Sequence, residues 1–170
     1  MNSSAGKQFL ELAGINDIST LASLAERIWW KYYPAIITDE QIRYMLKKMY
    51  SEEVLQEQIS GSKQIFYLIK SEKDAVGFIA VSETDSGNWM LHKFYLLKEN
   101  RTRGLGSIAF QQLVPLLNNP KTIRLTVNRM NFKSVNFYFK NGFIIEKVAD
   151  FDIGNGFFMN DFVMIWENPN

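Results

Sequence analysis

The stretch Phe94-Tyr95-Leu96-Leu97-Lys98-Glu99-Asn100-Arg101-Thr102-Arg103-Gly104-Leu105-Gly106-Ser107 decides how this chain is read. Its apolar, aromatic-rich beginning predicts the end of a strand over 89–97. The chain then passes through a loop carrying Arg101, Arg103, Gly104 and Gly106, and that loop opens a helix over 105–117. The first amides of a helix have no intrahelical partner, and the macrodipole makes that end electropositive. Glycines at 104 and 106 remove the Cβ atoms that would hold an anion at a distance. A diphosphate fits on the backbone amides of Arg103 to Ser107. The same residues also suit an ordinary strand–turn–helix junction, with glycines for the turn and arginines for solubility.

Working outward, residues 8–12 predict a short strand, ended by Gly14-Ile15-Asn16-Asp17. Asp17 or Ser19 can cap a helix through Tyr33, with Leu21, Leu24 and Ile28 on its buried stripe and Pro34 as its stop. Thr38 stands three residues before Gln41, the spacing of a capping box, so a second helix runs toward Tyr50. Ser51 caps a further helix through Ile59, and Gly61 ends it. Residues 64–70 and 75–82 read as paired strands across the polar turn Ser71-Glu72-Lys73-Asp74, and Asp85-Ser86-Gly87-Asn88 makes the next turn.

Beyond the glycine loop, Pro115 should kink or finish its helix. A strand follows over 123–127, then a helix over 132–140 capped by Asn131 and ended at Asn141-Gly142. In that helix Asn131 and Tyr138 lie seven residues apart, two turns, and share a side; Val135 and Phe139 are spaced to face the sheet. Two last strands, over 143–150 and 156–167, meet around Asp152-Ile153-Gly154-Asn155. The expected architecture is α/β (α+β), a mixed, mostly antiparallel sheet of about seven strands with helices on both faces, in a single domain over 1–170.

Composition narrows the function. Of 170 residues, 46% are hydrophobic and 22% charged, with a net charge of +1. That balance fits a globular fold and gives no basic field for nucleic acid or a membrane surface. With no cysteine, the chain has no disulfide framework, thiolate metal site or cysteine nucleophile. No uncharged apolar run reaches the ~20 residues that a bilayer requires, and the first residues carry no signal-peptide pattern, so a cytoplasmic protein is expected.

Two motifs together give a resemblance. Arg101-x-x-Gly104-x-Gly106 after a central strand, followed by Asn131-x-x-Ser134-x-x-Phe137-Tyr138-x-x-x-Gly142-Phe143, resembles the GNAT superfamily of acyl-CoA-dependent N-acetyltransferases. The ending Ile153-Gly154-Asn155-Gly156-Phe157 through Met164 also resembles its bacterial polyamine-acetylating branch. The resemblance implies the GNAT fold, acetyl-CoA as co-substrate, no metal, and an amine acceptor of the polyamine, amino-acid, small-amine or protein N-terminal kind.

Residue by residue, it implies that Phe94, Tyr95 and Leu96 offer backbone to the pantetheine arm. Arg101, Thr102, Arg103, Gly104, Leu105 and Gly106, helped by Ser107, would hold the pyrophosphate. Asn131 would bind the pantetheine arm, and Tyr138 would act as general acid on the departing thiolate. The family's frequent glutamate in the strand before the second motif is Thr126 here. The glutamate that other members carry two residues before the Phe94 position is His92, the chain's only histidine and the candidate base. Trp29, Trp30 and Tyr33, with Tyr32, are candidates for the acceptor cleft through cation–π attraction, or they anchor the helix to the sheet. Asp150, Asp152 and Asp161 are acidic candidates for steering a polyamine. A non-catalytic acyl-CoA sensor, transfer of a different acyl group and homodimerisation remain open, while a nucleotide-binding protein is disfavoured because no Gly-Lys-Ser/Thr loop is present.

Overall fold

A computed structural model describes residues 9–169, apart from the side chains of Thr102 and Arg103. The strand start expected at Gln8 lies outside the described residues. One sheet holds seven strands: β1 (Leu10–Leu12), β2 (Ile65–Ser71), β3 (Asp74–Asp85), β4 (Asn88–Leu96), β5 (Thr122–Asn128), β6 (Ile144–Gly154) and β7 (Phe157–Glu167). Their spatial order is β1-β2-β3-β4-β5-β7-β6. Only β4 and β5 run parallel; the other neighbours are antiparallel.

Among the described residues five α-helices cover the sheet: α1 (Ile18–Tyr32), α2 (Asp39–Tyr50), α3 (Glu52–Ser60), α4 (Leu105–Leu116) and α5 (Phe132–Lys140). The caps fall where the sequence puts them. Thr38 Oγ1 accepts from the Gln41 amide, Ser51 Oγ from Val54, and Asn131 Oδ1 from Ser134. Consecutive residues on a strand point to opposite faces. Lys93 of β4 reaches Gln58 of α3, whereas the next residue, Phe94, packs on Phe137 of α5 with ring centroids 5.3 Å apart. The helices therefore lie on both faces, as expected.

Several details differ from expectation. In α5 it is Val135 and Tyr138 that are buried; Phe139 is 45% exposed. Spacings of three and four residues both lie on one helical face, and the sheet takes the former. Helix α4 continues past Pro115 for one residue before ending at Leu116. The segment 98–103 is a 3-10 turn rather than an open loop. The last hairpin is longer than predicted because its turn is Asn155-Gly156, both with positive φ, 54° and 76°. Asn-Gly in that conformation suits the right-handed twist of a two-residue hairpin, so Asp152 and Ile153 continue β6.

Candidate active site

The parallel ladder between β4 and β5 is short. It joins Asn88, Trp89 and Met90 to Thr122, Ile123 and Arg124, and beyond these the two strands part. The opening is a cleft of about 500 Å³. Its walls are β4 from Met90 to Tyr95, β5 from Thr126 to Asn128, and the end of α1; Phe151, Ile153, Met159 and Asp161 of the last hairpin close it above. A second cavity, about 360 Å³, lies between β4, the start of α4 and α5, lined by Leu96, Gly104, Gly106, Ser107, Lys133 and Lys140 among others. Phe94, Arg101, Ser134 and Tyr138 border both, so the two cavities adjoin there as neighbouring compartments.

The hairpin roof is fixed to α2. Tyr44 donates to the carbonyl of Ile153 at 2.7 Å, Gln41 Nε2 donates to that of Phe158 at 3.1 Å, and the Tyr44 and Phe157 rings lie 5.2 Å apart.

At the second compartment Gly104 has φ +68° and precedes the first residue of α4. A Cβ built there would meet nothing within 4 Å, so the glycine serves the left-handed backbone and leaves an open approach to the helix amides. Gly106 has a different reason: its Cβ would stand 2.9 Å from Phe137 Cε2, and its absence lets α4 lie against α5. This cradle of bare amides with Ser107, Lys133 and Lys140 at its rim fits a pyrophosphate. Leu105 is buried and lines neither cavity. Thr102 and Arg103 belong to the 3-10 turn, with side chains outside the described ones.

Arg101 turns inward. Its Nε donates to the Leu96 carbonyl at 3.2 Å, and its guanidinium stacks 3.5 Å from the centroid of the Tyr32 ring. Tyr138, 8% exposed, packs on Phe137 and Phe143. Burial pushes its hydroxyl pKa well up, opposed by Arg101, so it is protonated at any physiological pH. Asn131 uses Oδ1 to cap α5 and also lines the cleft. Of the expected acceptor aromatics, Trp29 and Tyr33 line the cleft, stacked with centroids 4.2 Å apart, and Tyr32 joins them. Trp30 does not line it and instead lies beneath the Arg43 guanidinium.

His92 also lines the cleft, with Nε2 2.8 Å from Ser82 Oγ. One side of the ring meets solvent, yet desolvation of the rest and then the neighbouring Lys93 push its pKa down to about 4. It is neutral at pH 7 and only weakly basic.

Two charged side chains are buried among the described residues, Lys93 and Asp161. Lys93 was not among the candidate site residues, although its alternation with Leu91 and Tyr95 points it inward. It is 3% exposed and donates to Gln58 Oε1 at 3.2 Å and Gln64 Oε1 at 2.7 Å, with the Tyr50 and Phe66 rings beside it. Asp161, 0% exposed, has no hydrogen-bond partner on either carboxylate oxygen, and burial raises its pKa to about 6. The nearby Thr126 hydroxyl lowers that value without reaching hydrogen-bond geometry. Asp150 is paired with Arg129 at 2.7 Å, and Asp152 Oδ1 accepts from the Gly154 amide. Neither of those two lines the cleft.

The comparisons agree with this geometry. Residues 35–154 match the model of the acetyltransferase (GNAT) domain. The spermidine N(1)-acetyltransferase of Thermoplasma acidophilum is 28% identical over 151 residues, which is 85% of this chain and 91% of that protein. An uncharacterised N-acetyltransferase of Mycobacterium tuberculosis is 24% identical over 90% of this chain and 99% of its own length. Among solved structures, the PaiA N-acetyltransferase from Thermoplasma acidophilum in complex with coenzyme A superposes with a TM-score of 0.78 at 26% identity, covering 95% of this chain and all of that one. The chain belongs to the GNAT acetyltransferase family. It is an acyl-CoA-dependent N-acetyltransferase whose acetyl donor is acetyl-CoA, and among the described residues no cluster suited to a metal ion is present.

Burial of Lys93 carries a pH signature. Desolvation pushes its pKa down to about 8. The unfolded chain, near 10.4, therefore binds the proton more tightly, and the penalty present below pH 8 fades as pH rises through that window. Relative to Lys93→Met, the wild type should gain stability between pH 8 and 9.5, by ~1–2 kcal/mol, in urea titrations. A constant difference across that range would mean the ammonium is not desolvated in the fold.

Proposed function

We propose that the protein transfers the acetyl group of acetyl-CoA to a primary amine, of which a polyamine is the leading class, by direct attack with both substrates bound. The observation that carries this reading is the meeting of two compartments at Tyr138 and Arg101, one with a bare-amide cradle and one walled by aromatic rings. The donor belongs to the first and the amine to the second. The 28% identical spermidine N(1)-acetyltransferase supports the polyamine class. A buried tyrosine hydroxyl bordering both compartments favours chemistry over an acyl-CoA sensor.

Bound acetyl-CoA supplies an electrophilic thioester. The chain supplies the rest. The edge of β4 freed by its parting from β5 is a row of backbone groups awaiting partners, and Phe94 to Leu96 meet the pantetheine arm there. The amides of Gly104 to Ser107 hold the pyrophosphate, and a β4 amide polarises the thioester carbonyl. Asn131 steadies the arm from the start of α5. As the C–N bond forms and the C–S bond breaks, Tyr138 hydrogen-bonds the emerging thiolate and gives it a proton.

The attacking nitrogen must first lose its own proton, since an alkylammonium near pKa 10 has no lone pair. His92, neutral and joined to Ser82, passes that proton toward solvent. A base of such low pKa serves as a relay rather than as a store.

Three variants test the roles. Tyr138→Phe should lower kcat by ~10²-fold with acetyl-CoA affinity nearly unchanged, measured by thiol release with spermidine as acceptor. A large affinity loss at unchanged kcat would remove the acid role. Gly104→Val should weaken coenzyme A binding at least tenfold in calorimetry on material shown to be folded; undiminished binding would mean the diphosphate lies elsewhere. His92→Ala should lower kcat/KM for the amine by about tenfold while His92→Gln retains more of it; two variants with wild-type rates would exclude histidine from the proton path.

A further inference from the structure

An unpartnered carboxylate in a protein interior is rare because its desolvation is uncompensated. Asp161 is such a group, and it borders the acceptor cleft. It stands on β7 opposite Asn128 of β5 and Ala149 of β6, so strands flank it on both sides. The charged and titratable groups facing it are few. From the end of β5 comes Arg129, but that guanidinium is bound to Asp150 of β6 at 2.7 Å. Burial, and after it the Asp161 charge, raises the hydroxyl pKa of Tyr33, just past α1, to about 12. Neither side chain neutralises Asp161. The contrast with Lys93 is direct: the buried cation at the other wall has two amide acceptors and two rings, whereas the buried anion has no hydrogen-bond partner, only the nearby Thr126 hydroxyl and the opposed charges of Arg129 and Asp150.

We propose that the Asp161 carboxylate is the binding group for a positively charged nitrogen of the acetyl acceptor, held in the cleft against the Trp29–Tyr33 ring stack. The ammonium supplies the counter-charge the fold withholds, and the rings add cation–π attraction within the same wall. The inference rests on the acetyl-transfer reading and sharpens it: the acceptor is a cation when it binds, and neutral or anionic compounds of equal size are rejected because they leave the carboxylate unpaired. The charge is present above pH 6 and absent well below it, so acceptor binding strengthens as pH rises through that value. In the empty protein the same charge destabilises the fold. Because the folded pKa exceeds the unfolded one, that loss is absent below the unfolded value and complete above about 6.

The test is Asp161→Asn, with spermidine as probe and acetyl-CoA saturating. At pH 8 the KM for spermidine should rise at least tenfold, kcat should change less than threefold, and the KM for acetyl-CoA should stay put. The difference between the two proteins should close toward pH 5. Without amine, the variant should melt higher than wild type at pH 8 and equally at pH 4. An unchanged spermidine KM across this range, or a variant that melts lower, overturns the proposal. Should the wild type acetylate no amine, the function proposed above fails on its own. The melting shift that spermidine induces in wild type at pH 8 against pH 5 then decides the role of Asp161 separately, as it also does if the variant does not fold.

Discussion

Beyond Met90 and Arg124 the parallel ladder between β4 and β5 stops, and the rest of the molecule is arranged around that break. Two adjacent strands that part leave backbone donors and acceptors facing a gap, and such groups need partners. The structure supplies few of its own: Arg101 Nε takes the Leu96 carbonyl, and aromatic rings from α1 fill part of the space. A cofactor arm that hydrogen-bonds like a strand completes the edge. The gap is thus a defect in the sheet and the reason the sheet has a site.

Keeping the gap open takes rigid walls. On one side Trp29 of α1, Tyr50 of α2 and Tyr95 of β4 keep their rings in mutual contact, and Tyr50 and Tyr95 share a 2.9 Å hydroxyl hydrogen bond. On the other, Phe137, Tyr138, Phe143 and Phe110 form a chain of ring contacts from α5 to α4. The long β6–β7 hairpin, pinned to α2 by Tyr44 and Gln41, supplies the remaining wall. Function requires the groups in the gap to be poised before substrates arrive, and packing of this kind restricts their rotamers.

Much of this was legible in the sequence because local chemistry specifies it. The order of elements followed from caps, turn residues and hydrophobic period, and the resemblance carried by Arg101 to Gly106 and Asn131 to Phe143 pointed to the same fold. What failed was tertiary. Nothing local chooses between Tyr138 and Phe139 as the inward residue, since both continue a face with Val135. Successive helical residues point different ways, so Trp29, Trp30, Tyr32 and Tyr33 could not all face the cleft, but the run does not say that Trp30 is the one turned to Arg43. Asp150, Asp152 and Asp161 read alike along the chain; only the crossing of β5, β6 and β7 separates a paired carboxylate, a turn-capping one and a buried orphan. Lys93 is the instructive miss, because alternation in β4 did announce it and a lysine's usual exposure argued against looking.

The contact between Gly106 and Phe137 has an evolutionary corollary. A Cβ at 106 would stand 2.9 Å from Phe137 Cε2, so a side chain there requires that ring to shift. Substitution at 106 therefore draws on the freedom of the ring at 137, which couples the two positions in descendants of this chain although 31 residues of sequence separate them.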